Sequence, residues 1–173
     1  RLARLARALL VLARAQTGYE APREEVVAIE PLLTEIAASL RPARGVEVHV
    51  TCQPALAVVT NRELVEQALV NVAENAAKYT MEGRIELEGR AAEGTVELVV
   101  RDTGPGIPKP EQPLVLDRFY RASANGSDGF GLGFAIVRSA VDALDGRLRL
   151  ESEPGVGTVV SVRLPRAVNL VES

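Results

Sequence analysis

Asn71, Asn75 and Lys78 stand four and three residues apart in NVAENAAKYT (71–80), a spacing that on a helix puts all three on one stripe. Their chemistry suits a charged ligand. Amide oxygens can ligate a hard divalent cation such as Mg²⁺, and an ammonium can meet a phosphate oxygen. Val65, Ala68, Leu69, Val72 and Ala76 form the adjoining apolar stripe of the same helix, which is expected to begin near Asn61. The polar three therefore border the core, where a half-buried amide or ammonium costs free energy unless its hydrogen bonds are filled or its charge is balanced. A polyphosphate with its metal would fill them. So would local backbone bonds to the amides and a Lys snorkelling to solvent. From this helix alone both readings stay open.

Further chemistry follows along the chain. DTGPGIP (102–108) places a carboxylate at a predicted strand end beside two glycines that permit close backbone approach. An ionised Asp102 accepts hydrogen bonds and donates none, so it would take the exocyclic amine of adenine and reject the carbonyl of guanine; an Asx-turn capping the strand is the alternative. Arg118 and Arg121 flank Phe119 and Tyr120, where an Arg could clamp a terminal phosphate or stay solvated. In GFGLGFAIV, Gly129, Gly131 and Gly133 open a helix, whose first amides are a ready anion site.

The elements that must position these groups can be read from periodicity and punctuation. Leu2, Leu5, Leu9 and Leu12 have the 3-4-3 spacing of a coiled-coil or bundle seam, and QTGYEAPR (16–23) reads as a linker. A second amphipathic helix is predicted over about 29–40, with Pro31 in its first turn. Strands are predicted over 46–50 and, more weakly, 55–59; hairpins over 84–90 with 95–101 and over 147–151 with 158–164; and a helix after Gly133 that ends at Gly146. Residues 109–128 read as a lid. The boundaries expected are a helix end at 1–16, a linker at 17–28, one α/β domain at 29–165 and a tail at 166–173.

With 173 residues, 47% hydrophobic and a net charge of −3, the chain has no cationic excess with which to bind nucleic acid. It contains no apolar run long enough to span a bilayer and a single cysteine, Cys52, compatible with a reducing cytoplasm. Lys occurs only at 78 and 109, in a chain that otherwise uses Arg. The one histidine, His49, falls on the polar face of a predicted strand with Glu47 and Thr51, without a partner set for a metal or a triad. No Gly-Lys-Ser/Thr ending marks a P-loop, and no HRD or DFG triplet marks a protein Ser/Thr kinase.

Taken together the motifs resemble those of bacterial sensor histidine kinases. NVAENAAKYT looks like the N box, DTGPGIP the G1 box, RFYR (118–121) the F box and GFGLG (129–133) the G2 box, in the family's order and covering about residues 29–164. The resemblance implies an α/β sandwich of the GHKL (Bergerat) type, a mixed, mostly antiparallel sheet covered on one face by three helices. It also implies ATP and Mg²⁺ as ligands. Asn75 would coordinate the metal with Asn71 beside it; Lys78 would contact phosphate, and Tyr79 would line the pocket. Asp102 would read the adenine amine, with Gly104, Gly106 and Ile107 beside the base. Arg121 would reach the phosphates, and Gly129, Gly131, Leu132 and Gly133 would cover them.

The chemistry implied is in-line phosphoryl transfer by positioning and charge neutralisation, with Asn75, Lys78 and Arg121 nearest the reacting group. The acceptor would be a histidine of a helical dimerisation domain whose end residues 1–16 resemble. A response regulator and a sister chain are the implied partners. The sequence departs from the family pattern in a short lid, in Phe134 where Leu is common, and in Leu144-Asp145-Gly146 where His-Gly-Gly is common. Related ATPases place a Glu at the position of Asn71, so negligible ATP hydrolysis is expected. A nucleotide-gated interaction module, a related ATPase and an anti-sigma serine kinase are the alternatives.

Overall fold

In the computed structural model, which describes residues 24–115, 133–165 and 167–169, the alternating stretches become strands and three apolar periodicities become helices. In chain order these are β1 (Glu25–Ala28), α1 (Ile29–Ser39), β2 (Glu47–Cys52), β3 (Leu56–Thr60) and α2 (Arg62–Tyr79). Then come β4 (Arg84–Ala92), β5 (Thr95–Asp102), α3 (Gly133–Ala143), β6 (Arg147–Glu153), β7 (Gly157–Pro165) and β8 (Ala167–Asn169). The expected leading helix, the F box with Arg121, and Gly129, Gly131 and Leu132 lie outside the described residues.

Five strands pair in the order β2-β4-β5-β7-β6, with β2-β4 parallel and every other pair antiparallel. This is the expected mixed sheet. Its inward residues, among them Ile85, Leu87, Val96, Leu98, Val100, Val160, Val162 and Leu164, are buried against the three described helices. Those helices supply Ile29, Leu32, Leu33 and Ile36 from α1, Val65, Ala68, Leu69, Val72, Ala73, Ala76 and Ala77 from α2, and Val137, Ala140 and Val141 from α3. Each fully buried Val, Leu or Ile contributes about 1.5–3 kcal/mol. At Gly89 a side chain would come within 2.7 Å of Ile29 Cγ2 and 3.0 Å of Cys52 Sγ, so this glycine in mid-strand lets α1 settle on β4.

A second sheet, β1-β3-β8, was not anticipated. Residues 25–28, expected to close the linker, pair antiparallel with β3 in the register Val27↔Val58, and 167–169, expected in the tail, pair with its other side. The four-residue β1 carries one buried position, Val27, too little signal for alternation to show in the sequence. His49 is exposed as expected, its Nε2 3.0 Å from Glu47 Oε2.

The face of the five-stranded sheet turned from the helices carries a charge lattice. At its centre is Glu97, its side chain 6% exposed, between Arg90 at 2.6 Å and Arg163 at 2.9 Å. Burial pushes its carboxyl up, but hydrogen bonds and charge from the two guanidiniums outweigh this and hold it below the usual carboxylate range. A depressed value contributes stability above the unfolded-state value and loses it as pH falls through the folded one. Glu97→Gln is expected to cost about 2 kcal/mol in denaturant unfolding at pH 7, with the difference from the parent shrinking below about pH 4. At the end of α3, Asp145 sits at φ +52, a left-handed conformation. Asp145→Gly is expected to raise stability by about 0.5–1 kcal/mol in the same assay.

Candidate functional site

Helix α2 starts where Asn61 Oδ1 accepts the Leu64 N–H at 2.9 Å, a cap worth about 1 kcal/mol that sets the helix phase. Further along, Asn71, Asn75 and Lys78 are half-buried at the edge of its apolar face, as the spacing requires. Asn71 Nδ2 donates to the Gln67 carbonyl at 2.8 Å, so the local reading holds for that nitrogen and the bond fixes the orientation of its amide. Asn75 meets the start of α3: a side chain at Gly133 would come within 3.1 Å of its Nδ2 and 3.6 Å of its Oδ1. The last glycine of GFGLG is therefore brought onto the second Asn of the N-box stretch. Lys78 Nζ lies 4.9 Å from the ring centre of Tyr79, which is 39% exposed.

The carboxylate stretch forms a corner at the end of β5. Asp102 lies in register with Ile85 and Thr158, and its Oδ1 accepts the Gly104 N–H at 2.9 Å, the Asx-type bond foreseen as an alternative. Burial pushes the Asp102 carboxyl above its ordinary range, opposed by N–H groups of Gly104 and Thr158. Gly157, at φ +142, lets β7 cross so close that a side chain there would run into the Asp102 carbonyl. Gly106, at φ +67, packs its Cα against the Glu153 carbonyl, so the close approach it makes among the described residues is to the β6–β7 turn. The Ile107 N–H donates to Ser152 Oγ at 2.8 Å, Ser152 donates to the Gly157 carbonyl at 2.9 Å, and Gln112 Nε2 donates to both the Ile107 and Ser152 carbonyls.

An open cleft of about 660 Å³ lies between the end of α2 and this corner. Lys78, Tyr79, Met81 and Glu82 line one side, and Thr103, Gly104 and Pro105 the other. Thr80, Ser152, Gln112 and Thr158 were not singled out from the sequence, since polar residues at element ends look like ordinary caps. Their partners come from distant strands. The arrangement can seat a planar donor beside Asp102 and an anion near Lys78 and the start of α3.

Comparison with known proteins identifies the family. Residues 60–168 match the family described as histidine kinase-, DNA gyrase B- and HSP90-like ATPase. A Mycobacterium tuberculosis protein named "Probable sensor histidine kinase HK" is 35% identical over 166 residues, which is 95% of this chain and 44% of that protein. Among solved structures, full-length ShkA in complex with AMPPNP superposes with a TM-score of 0.83 at 30% identity, over 96% of this chain and 36% of ShkA. The mycobacterial sensor histidine kinase MprB gives 0.73 at 32% identity, over 82% of this chain and 98% of that one. The chain belongs to the histidine kinase-, gyrase B- and HSP90-like ATPase family. Within it, this is an ATP-binding domain of the sensor histidine kinase kind, and it spans less than half the length of that Mycobacterium relative.

Substitutions at two glycines of the corner are expected to differ in their consequences. Ala at 104 would meet only movable side-chain atoms within 3.2 Å, Asp102 Oδ1 at 2.9 Å and Thr80 Oγ1 at 3.2 Å. Gly104→Ala is expected to keep stability within about 1 kcal/mol while ATP affinity drops at least tenfold. Gly106→Ala, forced into a left-handed conformation against backbone, is expected to lose about 2 kcal/mol or more. Chemical denaturation and ATP titration of the two variants check both.

Proposed function

We propose that this chain is the catalytic ATP-binding part of a two-component sensor histidine kinase. It would bind Mg-ATP and donate the γ-phosphoryl to a histidine on a helical dimerisation domain of the same or a sister chain, for relay to a response regulator. The observation that carries the reading is Asp102. Its half-buried carboxylate accepts N–H groups of Gly104 and Thr158, and desolvation raises its proton affinity. An ionised carboxylate held at such a cost is the group that an amine-bearing base would compensate.

The donor set at the other end fits a divalent ion delivered with the nucleotide. Asn75 offers an amide oxygen facing the start of α3, and the Asn71 amide is oriented through its nitrogen. When bound, the metal would neutralise phosphate charge during in-line transfer. Lys78 would hold phosphate oxygens, Tyr79 and Ile107 would flank the nucleotide, and Arg121 with Gly129, Gly131, Leu132 and Gly133 would close over the phosphates. The side chain at 71 is an amide, which cannot take a proton from water at neutral pH, so transfer rather than hydrolysis is favoured. His49 is exposed and hydrogen-bonded to Glu47 on the edge strand β2; the reading places the acceptor histidine on another domain. A cytoplasmic location belongs to the same proposal; among the described residues no helix is long and apolar enough to cross a membrane.

Calorimetric titration with ATP and Mg²⁺ tests the reading, followed by transfer of labelled phosphate to a supplied acceptor-bearing helical domain. Asp102→Ala and Asn75→Ala are each expected to weaken binding at least tenfold, and the chain alone to show negligible ATP turnover. Absence of ATP binding, or binding unchanged in Asp102→Ala, would overturn the proposal. Because the folded Asp102 value is raised, its ionised form carries a stability cost: the favourable contribution is present below the unfolded value and lost as pH rises through the folded one. For the same reason its ability to accept the amine is lost on acidification at a higher pH than for an exposed aspartate. ATP affinity should therefore fall as pH drops from 7 toward about 4, and this component should be missing in Asp102→Asn.

A further inference from the structure

Beyond Asp102 the chain turns away from the large sheet. The Thr103 N–H still reaches the Arg84 carbonyl at 3.2 Å, but the run from Pro105 to Ile107 is held from the β6–β7 hairpin instead. The Gly155 N–H donates to the Pro105 carbonyl at 2.8 Å, and the Ile107 N–H donates to Ser152 Oγ at 2.8 Å. Gln112 completes the set. It is half-buried, and its Nε2 lies 2.9 Å from the Ile107 carbonyl and 2.8 Å from the Ser152 carbonyl, one acceptor for each of its two hydrogens. Both partners are carbonyl oxygens, so the amide must face them through its nitrogen. Ile107 is thus gripped on both sides, its N–H by Ser152 and its carbonyl by Gln112. The turn that carries Gln112 is itself braced. The Glu111 and Gln112 N–H groups both reach the Pro108 carbonyl, at 2.8 and 3.2 Å, and Pro108, Pro110 and Pro113 restrict its backbone. By contrast the run it holds contains Gly106, at φ +67, a residue with wide conformational freedom.

We propose that Gln112 is a positioning residue for the nucleotide site. Its two N–H donors lock Ile107 to the β6–β7 hairpin and so fix the wall of the cleft that continues through Thr103, Gly104 and Pro105, across from Lys78 and Tyr79. Gln112 acts through that wall and not on the ligand. Without its amide two carbonyls lose a donor, and Gly106 lets the run from Pro105 to Ile107 take other conformations. A wall already in place needs no ordering when a nucleotide arrives, whereas a loose one must be ordered first and binds more weakly. The inference rests on the ATP-binding reading above, in which Ile107 flanks the nucleotide, and assigns the setting of that flank to a side chain outside the cleft.

The test uses the full chain with Gln112→Met, which keeps length and removes the polar group, and Gln112→Glu, which keeps shape but has no N–H to donate when ionised. Calorimetric titration at pH 7 is done with ATP and with ADP, each with Mg²⁺. Both variants are expected to bind about five- to tenfold more weakly. The factor should be the same for the two nucleotides, because the wall stands at the base end of the cleft. Amide hydrogen exchange of the free chain supplies the readout that a general loss of stability would not give. Exchange at Ile107 and Gly155 should rise more than at Leu98 and Val100 of β5, whose exchange reports opening of the sheet. Parent-like affinity in either variant would overturn the inference. So would a loss confined to ATP, which would locate the effect at the phosphates. An equal rise in exchange at all four amides, or failure of both variants to fold, would show a general structural role and overturn it too. In each of these cases a parent that binds ATP and depends on Asp102 leaves the broader functional reading intact, whereas a parent that fails to bind ATP removes both.

Discussion

Everything at the site depends on how α2 is held. Val65, Ala68, Leu69, Val72, Ala73, Ala76 and Ala77 are buried on one side of an 18-residue helix, and turning that side from the core would expose apolar surface at about 25 cal/mol per Å². The helix therefore has one rotational setting. In it Asn71, Asn75 and Lys78 must stand at the core boundary whether or not a ligand is present. The alanines matter as much as the larger residues, because small side chains let α3 come close enough for the backbone at Gly133 to rest on the Asn75 amide.

The second wall of the cleft is built from backbone. β5 ends at Asp102, β7 begins at Gly157 directly against it, and the turn between β6 and β7 presses on Gly106. Ser152 ties these pieces together with bonds to Ile107 and Gly157 and a 2.9 Å contact to Thr158 Oγ1. A corner made of interlocked main chain is poorly compressible, so Asp102 presents its carboxylate at a defined place. Gly104 is the member of this corner whose neighbours are side-chain oxygens as well as backbone, and its N–H is bonded to Asp102 Oδ1.

Strand β5 also shows how environment assigns roles to like groups. Glu97 and Asp102 are both carboxylates on the same strand and both poorly hydrated. Glu97 lies between two guanidiniums and is held ionised, a structural pin for the outer sheet face. Among the described residues Asp102 has only N–H groups to offset its desolvation and is pushed the other way. A carboxylate already paired with Arg has little left to offer a ligand; one stabilised only by amides retains acceptor capacity and gains by meeting a donor.

Much of this was legible in the chain itself. Helical spacing put Asn71, Asn75 and Lys78 on one stripe, alternation marked the strands of the large sheet, and Asp102 stood where a strand met a glycine turn. These are local regularities, set by 3.6- and 2-residue periods and by what glycine permits. The small sheet was hidden because four- and three-residue strands at 25–28 and 167–169 carry too few side chains to show a period, and their pairing with β3 is non-local. Thr80, Ser152 and Gln112 were hidden for a related reason: nothing in their own neighbourhoods distinguishes them from ordinary polar residues at element ends. By itself the sequence determined which residue types would border the core and in what order. Only the tertiary structure decided that Gly133 meets Asn75, that Gly157 closes on Asp102, and that Thr80, Asp102 and Tyr79 crowd the place a side chain at Gly104 would take. Such contacts arise where segments distant in the chain are packed together, and no periodicity encodes them.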